Sequence, residues 1–234
     1  MKNFIPAILV LLACFTLSAQ GNFSLYRNNG NNLETNFYKK LSTNIKLDRS
    51  NYDGSPFMDD ELQLGTIVLN GKDEQSFFMR YNILHQRIEF SEVNDVETLK
   101  MLPKDEKLIV RLNGKLLQYL NLPNMPATYY EIVKVFDENT LLLVNHDKDV
   151  VLPQQKNSYV AETQKARIKS SSTIYFTSDE FSTELDNHKK RSVKAFPKSD
   201  QSILKEYIKE NKIKFKDDYK GLIALVGKYL DLKS

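Results

Sequence analysis

The sequence predicts an α+β fold: a mainly antiparallel β-sheet, sandwich or open barrel, followed by two or three C-terminal helices. Three observations predict it. Apolar and polar residues alternate through the middle of the chain. Asn-Gly pairs and short polar breaks punctuate those runs. After about residue 186 the apolar spacing changes to three and four, so strands give way to helices.

The chain opens with Met1-Lys2, an apolar run from Phe4 to Ala13, and Leu17-Ser18-Ala19 before Gln20. That order reads as a secretory signal peptide over residues 1–19. Cys14, the only cysteine, lies inside it. Two routes are open. Cleavage after Ala19 discards Cys14, or Leu11-Leu12-Ala13-Cys14 acts as a lipobox and Cys14 becomes a lipid anchor. Phe15 and Leu17 keep the stretch apolar beyond the cysteine, which favours simple cleavage. The expected location is therefore periplasmic or extracellular, with the anchored lipoprotein as the alternative. The mature chain has no disulfide to rely on, so a packed core must hold it. The apolar run is too short for a transmembrane helix, and no later segment is long and apolar enough for one.

Residues 20–46 are polar and rich in asparagine; they read as a flexible leader. An antiparallel β unit spans 47–185. Phe77, Met79, Tyr81 and Ile83 alternate with Phe78, Arg80 and Asn82, which puts one set in a core and leaves Arg80 on the opposite face. If that face is enclosed, Arg80 needs a carboxylate or an anion. Ile88 and Phe90 continue the pattern, as do Leu108, Val110 and Leu112. Asn113-Gly114 then predicts a tight hairpin with positive φ at both residues, and Asn70-Gly71 a second turn. Tyr129 to Phe136, Thr140 to Val144 and Val150 to Leu152 form a further meander, broken at Asp137-Glu138-Asn139 and at Asn145 to Asp149. Short breaks favour antiparallel neighbours. A C-terminal helical unit spans 186–234. Asn187 caps a helix ending at Pro197. Ser199 or Asp200 caps a second, with Ile203, Leu204, Tyr207 and Ile208 on one face. Asp217 or Asp218 begins a third, turning Leu222, Ile223, Leu225, Val226, Tyr229 and Leu230 inward.

Several segments carry a resemblance: Gly54-Ser55-Pro56-Phe57-Met58-Asp59-Asp60-Glu61, Leu64-Gly65-Thr66-Ile67-Val68, Arg80-Tyr81-Asn82-Ile83 through Ile88-Glu89-Phe90, and Tyr207 to Phe215. In that order they resemble an uncharacterised family of exported, signal-peptide-bearing Bacteroidetes proteins, over roughly residues 48 to 232. The resemblance implies a β-rich exported unit with a helical C-terminus. It brings no activity and no catalytic residues.

The 234 residues carry a formal net charge of only +3. No strong positive field is available for nucleic acid. Carboxylates are densest at Asp59-Asp60-Glu61, with Asp53 upstream. Oxygen-rich loops suit calcium, but Arg49 stands where an EF-hand's first ligand would be. A turn-forming acidic segment explains the cluster. Paired carboxylates also suit glycoside hydrolysis, yet neighbours on one strand point to opposite faces. His146, in Asn145-His146-Asp147-Lys148-Asp149, suggests a triad. No Gly-x-Ser-x-Gly elbow supplies a nucleophile, and the composition reads as a polar hairpin turn. His85 reads as another turn residue, and His188 as a helix start. Lys189-Lys190-Arg191 with Lys194 reads as a solvated helix surface. The sequence thus assigns no catalytic, cofactor-binding or metal residue, and no cofactor. The expected function is a non-enzymatic binding or envelope-associated structural module, whose partner is an unknown protein or envelope component. The alternatives are a hydrolase using Asp59, Asp60 or Glu61, and a β-barrel carrier of an apolar ligand.

Overall fold

A computed structural model describes residues 52–69, 71, 73–151, 166–215 and 218–233. The signal-peptide, Cys14 and polar-leader expectations, and the Asn70 half of the second turn, lie outside the described residues.

Eleven strands form one sheet among the described residues: β1 (Tyr52–Asp53), β2 (Gln63–Leu69), β3 (Asp73–Asn82), β4 (Arg87–Ser91), β5 (Lys100–Met101), β6 (Leu108–Leu112), β7 (Lys115–Leu120), β8 (Thr128–Val135), β9 (Leu141–Val151), β10 (Ala166–Thr177) and β11 (Ser182–Leu185). The order is β1-β10-β9-β8-β7-β6-β2-β3-β4-β5, with β11 also on β10. Every pairing is antiparallel except β1 on β10. The path has two ends, so the sheet is open rather than closed. At the β6–β7 turn, Asn113 and Gly114 take φ of 50° and 74°, as an Asn-Gly hairpin demands.

One cross-strand row shows how the inner face is built. Ile67, Val110, Leu117, Glu131, Val144, Ile174 and Leu185 face one another in register from β2 to β11. Direct partners share a face, so this row is apolar except at Glu131. Around it, Met79, Tyr81, Ile88, Phe90, Leu108 and Tyr129 are buried. The Tyr81 and Tyr129 rings stand 5.8 Å apart although β3 and β8 are four places apart in the sheet. In a flat sheet those strands lie about 19 Å apart. The sheet therefore coils, and aromatic side chains fill the inside of the coil.

Coiling brings the β3–β4 turn to β8 and β9. Gln86 bonds there from both ends of its amide. Its Nε2 donates to the carbonyls of Ile83 (2.8 Å) and His146 (2.9 Å), and its Oε1 accepts from the Tyr81 hydroxyl (2.5 Å) and from Thr128. One side chain thus spans the gap that no strand ladder closes.

Three helices cover the rest of the inner face: α1 (Lys189–Lys194), α2 (Gln201–Glu210) and α3 (Lys220–Asp231). Leu204, Ile208, Leu222, Leu225, Val226 and Tyr229 pack on Leu142, Val144, Ile174 and Phe176 of β9 and β10. Tyr229 meets Phe196 at 4.7 Å, Phe181 at 5.8 Å and Phe176 at 5.9 Å between ring centres. Each such side chain buried contributes about 1.5–3 kcal/mol, so the docked helices are held by the sheet more than by their own length. On the outer face, Leu122 and Met125 of the β7–β8 loop cover Leu120, Tyr130, Leu143 and Tyr175. The Tyr130 hydroxyl donates to the Pro126 carbonyl at 2.7 Å.

Three sequence expectations need correction. Asn145 to Asp149 is not a turn: it runs through β9 and pairs with Lys169 to Thr173 of β10. His146 bonds Glu131 on β8, and Lys148 holds carbonyls of the 55–57 segment, partners that local composition does not reveal. Ile203 is 44% exposed while Leu204 and Ile208 are buried, because the contact face of α2 is narrower than its apolar stripe. Two helix starts also differ: His188 and Tyr219 hold the N-cap positions of α1 and α3, whereas Asp200 holds that of α2 as expected, and none of the three makes a side-chain cap bond. The Asp200 carboxylate pairs with Lys233 instead, at 3.0 Å.

Candidate functional site

Glu131 is the one charge in the apolar inner row. Its side chain is 10% exposed. Lys115 lies two residues before Leu117, the cross-strand partner of Glu131 on β7. His146 lies two residues beyond Val144, its partner on β9. With a period of two, all three project from the same face along one diagonal. Lys115 Nζ and His146 Nε2 both lie 2.7 Å from Glu131 Oε2. Burial pushes the Glu131 carboxyl up, but the hydrogen bonds from His146 and Lys115 outweigh it and hold it below the usual carboxylate range. An ionised carboxylate only accepts, so a neutral His146 carries its hydrogen on Nε2 and leaves Nδ1 as an acceptor. Ser172 of β10 faces His146 across the ladder.

Tyr219, at the start of α3, adjoins this cluster. Burial first, then the nearby Glu131 and Asp218 charges, raise its hydroxyl above the ordinary tyrosine value. Asp218 and Tyr219 take φ of 42° and 61°, a left-handed pair of non-glycine residues that costs of order 1–3 kcal/mol each. Tyr219 packs there against the apolar cluster of the helices, β9 and β10.

A second charged group is fully enclosed on the outer face. Arg80 and Glu89 are 0% exposed, with Nη2 and Nε of Arg80 each 2.8 Å from Glu89 Oε2. Arg87 and Asn82 bond the other carboxylate oxygen at 2.9 and 3.1 Å. The Arg80 guanidinium stacks 3.8 Å from the centre of the Phe57 ring, and Nη1 reaches the Asp60 carbonyl at 3.3 Å. The arginine thus has the carboxylate partner its burial requires. Phe57 belongs to the 54–62 segment that runs from β1 to β2. Lys148 of β9 donates to the carbonyls of Ser55 (2.9 Å) and Phe57 in the same segment. Burial lowers the Lys148 ammonium below its ordinary value, opposed by Asp60 and Asp59.

The structure does not gather the acidic cluster into one site. Asp59 accepts from Asn113 Nδ2 at 2.6 Å, Asp60 accepts from Ser55, and Glu61 is exposed. Asp53 sits on β1 opposite Arg167. His85 lies in the β3–β4 turn, its backbone N–H bonded to Asn82 Oδ1; burial first and then Arg87 lower its pKa. In the basic stretch Arg191 pairs with Asp186 at 2.8 Å, and Lys189, Lys190 and Lys194 are exposed. Sequence reasoning missed Lys115 and Glu131. The available signal was Glu131 itself, a carboxylate inside Tyr129-Tyr130-Glu131-Ile132-Val133; a charge embedded in such a run requires a partner.

Among the described residues, no group of three or more His, Cys, Asp or Glu side chains comes together to hold a metal ion, and no helix is long and apolar enough to cross a membrane. No protein-family model, curated protein or solved structure matches the chain.

Proposed function

We propose that the protein is an exported, non-enzymatic binding or envelope-associated structural module, related to the exported Bacteroidetes proteins it resembles. The observation that carries this reading is the filled inner face. Tyr81, Tyr129 and their neighbours occupy the coil, and α2 and α3 occupy the remainder. Of the acidic residues that a hydrolase would use, Asp59 and Asp60 are bonded to Asn113 and Ser55, and Glu61 is exposed. Aromatic rings stand where an apolar ligand would sit in a carrier. What remains for recognition is the exterior. After cleavage at Ala19, the mature chain works outside the cytoplasm and meets a protein or envelope component there.

Two experiments test this. Cross-linking in intact cells, followed by capture of the tagged protein and mass spectrometry, yields the same envelope component in independent preparations. Turnover of glycan, ester or lipid substrates by the purified protein overturns the reading. For location, membrane fractionation unchanged by Cys14→Ala supports cleavage; release from the membrane by that substitution establishes the lipid anchor instead.

A further inference from the structure

We propose that the open stretch of the β10 edge, Lys169–Thr173, binds an extended peptide of about five residues that is rich in serine or threonine and carries one carboxylate. The proposal rests on the interaction-module reading above and names its partner class.

The outer edge of β10 already accepts two strands. Tyr52 and Asp53 of β1 pair with Ala166 and Arg167, and Ser182–Leu185 of β11 pair with Ile174–Thr177. Gly54, at φ 103°, continues beside Ile168, so close that an added Cβ would stand 3.3 Å from the Ile168 Cβ. Between these two strands, no described strand pairs with Lys169–Thr173 on that side. Lys169, Ser170, Ser171 and Ser172 are exposed and Thr173 is half-buried. A stretch of strand without a neighbour among the described residues presents its outward N–H and C=O groups, and strand addition is the binding mode such an edge supports.

The strands already seated there show what the edge takes. On the outer face Asp53 stands opposite Arg167, and Glu184 opposite Tyr175 with its Oε1 3.5 Å from the hydroxyl. Ser182 stands opposite Thr177, their hydroxyls 2.8 Å apart. Lys169, Ser171 and Thr173 project from that same face within the open stretch. A carboxylate opposite Lys169 and hydroxyls opposite Ser171 and Thr173 repeat the established pattern. The inner face offers Ser170 and Ser172, beside Lys148 and His146, and takes small side chains. The stretch is about 17 Å long and bounded at both ends. The twelve-residue β10 of a second copy would overrun β1 or β11, so the occupant is a short linear segment.

The test titrates isotope-labelled protein, purified after export, with acetyl-Thr-Ser-Ser-Ser-Asp-amide, whose antiparallel register over 169–173 puts Asp opposite Lys169 and hydroxyls opposite Ser171 and Thr173, and follows backbone amide resonances. Shifts centred on 169–173 are expected. The same peptide N-methylated on the alternate residues whose N–H groups face β10 binds more than tenfold weaker, because those backbone donors are gone. Lys169→Glu, an exposed substitution, weakens the acidic peptide about two- to fivefold, the range of one cross-strand ion pair. It binds the Asp→Lys peptide more tightly than the parent protein does. No shift at millimolar peptide, equal binding of the N-methylated peptide, or shifts confined to the helices overturns the proposal. If the cross-linked envelope component is still captured by the Lys169→Glu protein and the peptide does not compete with it, this site falls and the interaction-module reading survives.

Discussion

At the scale of single residues, the two enclosed charge groups behave differently because one is dry and the other is partly wet. Arg80 and Glu89 have no water to fall back on. Arg80→Met leaves the buried Glu89 short of a partner and is expected to cost about 3–5 kcal/mol. Arg80→Met combined with Glu89→Leu should recover most of that, since Arg87 is 24% exposed and turns to solvent; urea unfolding of the three proteins measures it. Glu131 has a pH signature. Its folded pKa lies below its unfolded one. Its contribution is thus fully present above the unfolded value, about 4.3, and is lost as pH falls through the folded value. Glu131→Gln should lower the urea midpoint at pH 7, by about 1–3 kcal/mol in stability. The difference from the parent protein should shrink from about pH 4 downward. A difference that stays constant down to pH 2.5 would contradict the ionised cluster.

At the scale of elements, the strands were legible wherever one face is buried. Phe77, Met79 and Tyr81 lie inside as their alternation predicts, and so do Leu108, Val110 and Leu112. The failures share a cause. Asn145 to Asp149 carries turn-like composition, but His146 bonds Glu131 and Lys148 holds the 55–57 carbonyls. Those partners lie far off in sequence, and they turn a polar stretch into a strand. In α2 the periodicity includes Ile203, whereas contact selects Leu204 and Ile208. Leu204→Ala is expected to cost about 2–5 kcal/mol and Ile203→Ala less than about 0.5, as thermal unfolding will show. Gly221 matters for contact as well. A Cβ there would stand 2.2 Å from the Lys214 carbonyl oxygen. Gly221→Ala therefore has to push α3 off the 214–215 backbone, at about 1–3 kcal/mol, despite alanine's better helix propensity. A stabilised Gly221→Ala protein would refute that close approach.

At the scale of the whole molecule, one apolar cluster spans β9, β10, β11 and all three helices. Sheet and helices should then unfold together. Far-ultraviolet circular dichroism and tyrosine fluorescence are expected to trace one coincident transition; a helix transition preceding the loss of the sheet would show the layers to be independent. The 54–62 segment ties distant parts of the coil through Phe57 on Arg80, Asp59 on Asn113 and Lys148 on the Ser55 and Phe57 carbonyls. The Glu131 diagonal was only half legible at this scale. A carboxylate in an apolar run demands partners, but nothing local says that they are Lys115 and His146.

By itself, the sequence determined the α+β class, the alternating inner face and a C-terminal unit of two or three helices, because side-chain period is a local property of the backbone. Tertiary structure alone decided that the sheet coils without closing, that Gln86 spans its gap, that Arg80 is dry, and that part of the β10 edge has no partner strand among the described residues. Each of those depends on which distant strands become neighbours, and strand order is set by contacts between residues whose separation along the chain carries no periodic signal.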